Sequence, residues 1–258
     1  MGRYAFNCVL LVTYMPASYT HHSVAHKTLS LLPLSIQKKI QPHLPLYFFG
    51  AQGADFCFFY PVLGGFSQNF GSYLHRQGGF PAFNVCKTFS AQPPIFAYSL
   101  GYITHYAADT VFHPFIYAKA GKSSFRHTRI ENALDCYFKT KDPTVFAEFF
   151  QAKLSQNDKK DLFLLYAAIS ARVGFPPLNE KSFYRAIRLF NAYLPPSSKI
   201  FSVKSSAIVS ALSAQADELY LSAILRAKDC CIAFYDSLKK KNPLPSEIFG
   251  KNYLTGKL

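Results

Sequence analysis

The hydrophobic positions of the chain mostly recur every three or four residues, which is the spacing of one face of an α-helix. Few stretches alternate between apolar and polar residues, as a half-buried strand would. Paired glycines and prolines interrupt the helical pattern at several points, such as Gly78-Gly79 and Pro93-Pro94. The pattern therefore predicts an all-α protein, with helices near residues 22–31, 34–41, 66–76, 94–118, 127–139, 144–155, 158–173, 180–193 and 205–240.

No internal repeat and no long linker divides the 258 residues, and half of them are hydrophobic. A chain of this length and composition can bury most of its apolar surface around one core. Histidine, glycine and aromatic residues are concentrated before about residue 135. We therefore predict one all-helical domain over residues 1–258, with the chemistry within 19–135 and scaffolding helices in 140–258.

The stretch from Pro94 to Ala118 contains no Lys or Arg and is long enough for a transmembrane helix of about 20 residues. It also carries His105, Asp109 and His113. An ionised Asp at the centre of a bilayer costs a few kcal/mol or more. The segment is therefore predicted to be a buried helix with a polar stripe, and no transmembrane span is expected.

The composition is aromatic and basic, with 26 Phe, 17 Tyr, no Trp and a formal charge of +14. So apolar a chain is not intrinsically disordered. The charge favours anionic partners, including phospholipid surfaces, nucleic acid and phosphorylated small molecules, without choosing among them. Residues 1–118 contain just two carboxylates, Asp55 and Asp109, against six Lys or Arg. Because acids are so rare there, each is a candidate for a functional role.

The cysteines do not show the paired spacing of zinc sites, and two adjacent cysteines make a poor disulfide framework. We predict that most are buried apolar side chains. The apolar run Cys8–Val12 is too short for a signal peptide, so a cytoplasmic location is expected. The six cysteines are Cys8, Cys57, Cys86, Cys136, Cys230 and Cys231.

Two neighbouring helices carry histidines and carboxylates at helical spacing. His105, Asp109 and His113 are four residues apart, and since each residue turns the helix by about 100°, they share one stripe. His127 and Glu131 repeat the spacing on the next predicted helix. One such pair is more often a surface pair or a core histidine than a metal site. Several pairs within an apolar segment need partners or a metal ion to offset desolvation, and this donor set is typical of catalytic zinc.

Three further places offer donors. A lone carboxylate follows two glycines in Gly50–Asp55, where a tight turn could bring it close to a metal. His75 ends a predicted helix, and His21 lies near the N-terminus together with His22 and His26. Taken singly, each is more typical of a loop turn or a surface histidine.

Five segments occur in an order and at a spacing that characterise one family: Tyr19–His21, Gly50–Tyr60, Leu74–Arg76, Ala97–Tyr117 and His127–Asp135. Together they resemble the zinc-dependent phospholipase C family, to which the fungal single-strand-specific nucleases are more distantly related. The resemblance covers about residues 19–135, and the ordered set is far more specific than any one segment. It implies an all-helical domain with zinc ions at the bottom of a cleft.

The resemblance also implies a ligand set. Asp109 would bridge two zinc ions, of which His21 binds one, while a further ion would lie among His113, His127 and Glu131. Asp55 would in addition be the general base that orients the attacking water. The eight implied ligands are His21, Asp55, His75, His105, Asp109, His113, His127 and Glu131.

The chain departs from the family at one ligand. Secreted members use the amine and carbonyl of an N-terminal Trp, whereas this chain has no Trp and twenty residues before His21. If translation starts at Met15, removal of Met would leave Pro16 close to the site. Otherwise His22 or His26 would fill the gap. Two or three zinc ions are therefore expected.

The resemblance implies a phosphodiester hydrolase of the phospholipase C type. Zinc lowers the pKa of bound water toward about 7, so a metal-bound hydroxide would attack phosphorus directly. The expected substrate is a phospholipid or another phosphodiester, reached by peripheral contact with a membrane surface. A single-strand nuclease is an alternative, because aromatic and basic residues suit single strands, although nucleic acid is less favoured. A helical protein that binds metal or a ligand without turnover is a second alternative.

Overall fold

The structure, a computed structural model, describes residues 18–62, 68–142, 154–193 and 206–258, with only the backbone at 193 and 206–213. Within these ranges the chain is helical and contains no β-strand, and an isolated bridge joins Gly78 to Asn252. The prediction of an all-α fold is confirmed.

The described helices are numbered here in chain order. Short 3-10 turns occupy Gln41–His43 and Asp55–Phe59. The α-helices are α1 (Ser18–Leu31), α2 (Leu34–Ile40), α3 (Leu44–Gly50), α4 (Phe70–His75), α5 (Phe80–Phe89), α6 (Pro93–Ala120), α7 (Ser124–Lys141), α8 (Gln156–Val173), α9 (Glu180–Tyr193), α10 (Ser206–Lys240) and α11 (Ser246–Phe249).

Most predicted helices match observed ones within a few residues. The prediction for 66–76 was too long, because Asn69 caps α4 by accepting a hydrogen bond from Ser72 N at 2.9 Å. The prediction for 144–155 falls mainly on 143–153, outside the described residues, and Ser155 is already the N-cap of α8. The helices α3 and α5 and the one-turn α11 were missed. Proline stands in the first turn of α3 and of α5, where it is tolerated although it interrupts the sequence pattern.

The helix α6 lies at the centre of the fold. It packs against α1, α3, α5, α7 and α10, and nearly every residue from Ile95 to Thr110 is buried. A helix that is apolar around its whole circumference is buried in this way. The predicted buried helix with a polar stripe is confirmed. None of the described helices is both long and apolar enough to cross a membrane.

Two glycines allow α3 and α6 to pack backbone against backbone. A Cβ atom on Gly101 would lie 1.9 Å from Tyr47 O, and one on Gly50 would lie 2.3 Å from Tyr98 O. Any side chain at either position would push the helices apart. The close crossing also brings the turn that follows Gly50 against the middle of α6, where the polar stripe begins.

The cysteines of the described residues are free thiols. Cys57, Cys86, Cys230 and Cys231 are buried, and Cys136 is half-buried. Cys8 lies outside the described residues. The prediction that most cysteines serve as buried apolar side chains therefore holds for those that the structure describes.

Candidate metal centre

All eight implied metal ligands are buried, with at most 8% of each residue exposed. They come from five separate elements. The helix α6 carries three of them and α7 carries two, while α1, the Asp55–Phe59 turn and α4 contribute one each. The eight residues are His21, Asp55, His75, His105, Asp109, His113, His127 and Glu131.

Asp109 lies at the centre of this cluster, with imidazole nitrogens around both of its carboxylate oxygens. Its Oδ2 is 3.1 Å from His105 Nε2 and 3.5 Å from His75 Nε2. Its Oδ1 is 3.3 Å from His21 Nε2 and 3.8 Å from His113 Nδ1. The stripe on α6 thus brings three ligands together, and α1 and α4 close the cluster from either side.

Asp55 reaches the cluster through the turn that precedes it. Its Oδ1 lies 3.2 Å from His75 Nε2 and 3.7 Å from His105 Nε2. Gly53 in this turn has φ +55°, and a Cβ atom there would lie 2.1 Å from His105 Cδ2. The hydroxyls of Tyr98 and Tyr166 lie 3.3 and 3.2 Å from Gly53 O and 2.6 Å from each other, so one donates to the carbonyl and the other to its neighbouring hydroxyl, which holds the turn against the imidazole. The glycine is therefore required for both its conformation and its size.

The pair on α7 forms the other end of the cluster. His127 Nε2 lies 2.9 Å from Glu131 Oε1, as expected for residues four apart on one helix. His113 Nε2 lies 3.6 Å from the same oxygen. Since His113 is also close to Asp109, it joins the two groups of ligands into one centre.

Two histidines are oriented so that a lone pair faces the cluster. His75 Nδ1 is 2.8 Å from Gly71 O, and His113 Nδ1 is 3.1 Å from Tyr253 O. A carbonyl oxygen can only accept, so each Nδ1 carries the proton and each neutral ring directs Nε2 inward. Those nitrogens face carboxylate oxygens, which are also electron-rich. A positive charge between them, either a bound metal ion or a proton on the ring, would compensate these atoms, and a backbone carbonyl behind the ring is the usual support for a metal-binding histidine.

Several carboxylate oxygens of the centre are buried without a hydrogen bond: Asp55 Oδ1, Asp109 Oδ2 and Glu131 Oε2. Leaving such charged atoms unpaired is costly unless a cation compensates them. The donor atoms of three sets lie within 4.8 Å of one another, as a shared ion requires. The sets are His21, Asp55 and His105; His75, His105 and Asp109; and His113, His127 and Glu131. Imidazole and carboxylate donors without cysteine fit catalytic zinc.

The surroundings shift the pKa values of the two central aspartates in opposite directions. Burial raises the pKa of Asp55, and the nearby Asp109 adds to this, although His105 and His75 oppose it. Burial also acts to raise the pKa of Asp109, but His105, His113 and His21 outweigh it and bring that pKa well below its usual range. Asp109 is thus the permanent anion of the centre, and Asp55 is the better proton acceptor.

The pKa of His113 is shifted by carboxylates on two sides of its ring. Burial alone would lower its pKa, but Asp109 and Glu131 outweigh burial and raise the pKa to about 9. Burial would likewise raise the pKa of Glu131, yet His113 and His127 bring it below its ordinary value. In the metal-free protein a proton on His113 therefore takes the place of a cation, and a metal ion would have to displace it.

Asp135 supports the centre and received no role from the sequence. It lies one helical turn beyond Glu131 and accepts hydrogen bonds from Tyr19 N, Thr20 N and Thr20 Oγ1 at 3.1, 2.7 and 2.7 Å. These are donors of the first turn of α1, immediately before His21. Burial raises the pKa of Asp135 to about 7, although these donors favour its ionised form. The spacing of four from Glu131 was the available signal.

Tyr253 is a second supporting residue that sequence reasoning missed. Its carbonyl oxygen accepts from His113, and its hydroxyl donates to Tyr102 at 3.2 Å. Its ring lies 5.3 Å from that of His75 between centroids. A single tyrosine 140 residues from His113 carries no pattern that could have indicated this contact.

The other N-terminal histidines do not join the cluster. The rings of His22 and His26 pack against Phe48, with centroids 4.4 and 6.3 Å apart. On a helix they point away from His21, because one residue and five residues correspond to turns of about 100° and 140°. Neither therefore fills the position of the missing Trp. Met15 and Pro16 lie outside the described residues.

A cleft of about 390 Å³ leads from the surface to the cluster. Its inner wall consists of His75, His113, His127 and Glu131. Phe58 also lines the cleft, whereas the nearby Phe56 and Tyr60 belong to the core. The centre is therefore buried yet accessible from one side.

The comparison with protein families agrees with this geometry. The sequence model of the family described as zinc dependent phospholipase C matches residues 20–172, which is more than half of the chain. The matched range includes all eight residues of the cluster. No curated protein and no solved structure matches the chain at a significant level. The chain belongs to the zinc-dependent phospholipase C family.

Proposed function

We propose that this member of the zinc-dependent phospholipase C family is a zinc-dependent phosphodiester hydrolase that acts on phospholipids. One observation carries the proposal. Buried imidazoles and carboxylates from five elements converge at the base of a cleft, and carboxylate oxygens of Asp55, Asp109 and Glu131 have no hydrogen bond there. Metal cations would stabilise such an arrangement, and a phosphodiester is a substrate whose charge such a centre would neutralise.

The proposed ligands divide between two sides of the centre. Asp109 would hold ions jointly with His21, His75 and His105, because both of its oxygens face imidazole nitrogens. His113, His127 and Glu131 would hold another ion at the cleft wall. Zinc bound there would lower the pKa of water and offset the charge that develops on the phosphoryl oxygens.

Asp55 is the proposed general base. Its pKa is raised by burial, and its Oδ1 has no hydrogen bond, so it is suited to take a proton from an attacking water. The turn of Gly53, packed against the ring of His105, holds the carboxylate in place. Direct attack by water needs no covalent nucleophile, and the proposal assigns none.

The first experiment removes the centre of the cluster. The variant His105→Ala/Asp109→Ala should lose its zinc, measured by plasma emission spectroscopy, and its hydrolysis of bis(4-nitrophenyl) phosphate. The matched control is His43→Ala/Asp161→Ala, which removes the same residue types outside the cluster and should retain both. Equal hydrolysis by the two variants would refute the proposal.

A milder variant separates chemistry from folding. Asp55→Asn keeps an oxygen donor but removes the base, and we expect kcat to fall by about 10² to 10⁴ while the circular dichroism is unchanged. The zinc content of the unaltered protein is informative as well. Two or three ions per chain would support catalysis, whereas one or none would favour a binding or structural role. Cleavage of single-stranded DNA at matched protein concentration tests the nuclease alternative.

A further inference from the structure

In the part of the chain that builds most of the cleft, each carboxylate side chain already has another role. Residues 1–141 include four acids, Asp55, Asp109, Glu131 and Asp135. Three of them belong to the metal centre, and Asp135 caps α1. All four are at most 4% exposed. Among the described residues that line the cleft, Glu131 is the one acid, and it already faces His113 and His127.

Cations, by contrast, do line the cleft. Arg76 follows α4, and Lys122 lies in the turn between α6 and α7. Both are exposed, and neither forms an ion pair within the part of the chain that the structure describes. The backbone at Arg76 is held in place, because Asn252 Nδ2 donates to its carbonyl oxygen at 2.9 Å.

The remaining polar lining suits hydroxyl groups. The side chains of Gln68, Ser72 and Ser124 border the same space. Gln68 Oε1 is buried without a hydrogen bond, so it is an acceptor that a ligand hydroxyl could satisfy. Serine hydroxyls both donate and accept, as the hydroxyls of a polyol do.

We infer that the cleft selects phosphodiesters with an uncharged polyol head group, such as glycerol or inositol, over those with a cationic head group, such as choline. The inference rests on the proposed function and specifies its substrate class. The aromatic rings of Phe58 and Tyr117 offer a choline group cation–π contacts. Arg76 and Lys122 repel that group, and among the described lining residues no carboxylate is left to offset them.

The test measures head-group preference without a membrane. Dihexanoyl phosphatidylglycerol, phosphatidylinositol and phosphatidylcholine are compared below their critical micelle concentrations, so that attraction of the +14 chain to an anionic surface does not contribute. We expect kcat/KM to be about tenfold higher for the two polyol lipids, which corresponds to about 1.4 kcal/mol.

A second experiment reverses the charge of the two cationic side chains that line the cleft. Arg76→Glu/Lys122→Glu should remove or invert the preference, mainly through KM. The control Lys160→Glu/Lys181→Glu lowers the formal charge by the same amount, at exposed residues close to the N-termini of α8 and α9 that do not line the cleft. Because each glutamate lies near a helix N-terminus, the control should fold and keep the preference of the unaltered protein.

Should the charge reversal impair folding, Arg76→Gln/Lys122→Gln removes the same cations with less perturbation. Hydrolysis that favours choline, or a preference that survives both cleft variants, would overturn the inference and leave the proposed function standing. Failure to hydrolyse any of the three lipids and bis(4-nitrophenyl) phosphate would overturn the proposed function, and the inference with it.

Discussion

The two longest described helices, α6 and α10, pack against each other but use their polar residues in opposite ways. On α6, His105 and Asp109 are at most 1% exposed. On α10, the ion pair of Asp236 and Lys240 has side chains that are 49% and 64% exposed. Buried ionisable groups must find partners, whereas surface ions are solvated without them.

The partners also come from different places. The polar stripe of α6 is completed by α1, the Asp55–Phe59 turn, α4 and α7. Counted from His105, these ligands range from His21, 84 residues earlier, to Glu131, 26 residues later. The exposed pair on α10 is formed within one turn of the helix. The buried side chains of α10, such as Ala223, Ala227 and Phe234, follow helical spacing and form one face of the helix. The ligand cluster therefore depends on contacts between distant segments around α6, whereas the buried face of α10 follows from the periodicity of its own residues.

Metal removal should have the largest effect, and it should destabilise α6 more than α10. Ligand at a thousandfold its Kd stabilises a protein by about 4 kcal/mol, and we expect a chelator to lower the free energy of unfolding by that order. The loss should be concentrated in α6, whose buried carboxylates lose their compensating cations. Hydrogen exchange should accelerate at residues 102–113 more than at 223–237. Uniform acceleration along both helices, or an unchanged melting temperature, would contradict the expectation.

Gly53→Ala should have the next largest effect. The added Cβ would collide with the ring of His105, and φ +55° is strained for alanine, so a loss of about 2–4 kcal/mol is expected. Gly174→Ala is the matched control. It also has a positive φ, of +75°, but its nearest neighbour is 3.9 Å away, so it should lose about 1 kcal/mol. Denaturant unfolding of both variants measures the difference, and equal losses would show that the collision at His105 is relieved.

Asp135→Asn should act on the link between α7 and α1. The amide nitrogen of Asn would replace Oδ2 and face the N–H of Tyr19, while Oδ1 still accepts from Thr20, so one donor is left unpaired at a cost of about 1–3 kcal/mol. Because His21 follows these residues, zinc affinity should fall by about tenfold or more. Titration with a competing chelator measures it. Asp217→Asn, in an exposed pair with Lys141, is the control, and equal zinc affinity in both variants would contradict the role given to Asp135.

Asp236→Ala on α10 should have the smallest effect. It removes an exposed pair formed within one helix, so the free energy of unfolding should change by less than about 0.5 kcal/mol. Zinc content and hydrolysis should be unaltered. A change in either property would mean that α10 is coupled to the centre more tightly than its contacts indicate.

Much of the fold was predictable because helical periodicity is local. The lengths of α6, α9 and α10 follow from their own residues. The helices α3 and α5 were missed because prolines in their first turns are typical of loops as well as of helix starts. The turn at Gly50–Asp55 was expected to present Asp55 to a metal, and the structure places that carboxylate against His75 and His105.

The sequence by itself determined the all-α fold, the shared stripe of His105, Asp109 and His113, and the pairing of His127 with Glu131. A spacing of four residues places side chains on one helical face wherever the helix lies. Tertiary structure alone decided that Asp135 caps α1 and that Tyr253 orients His113. These contacts join segments more than a hundred residues apart, so the packing of the whole chain sets them.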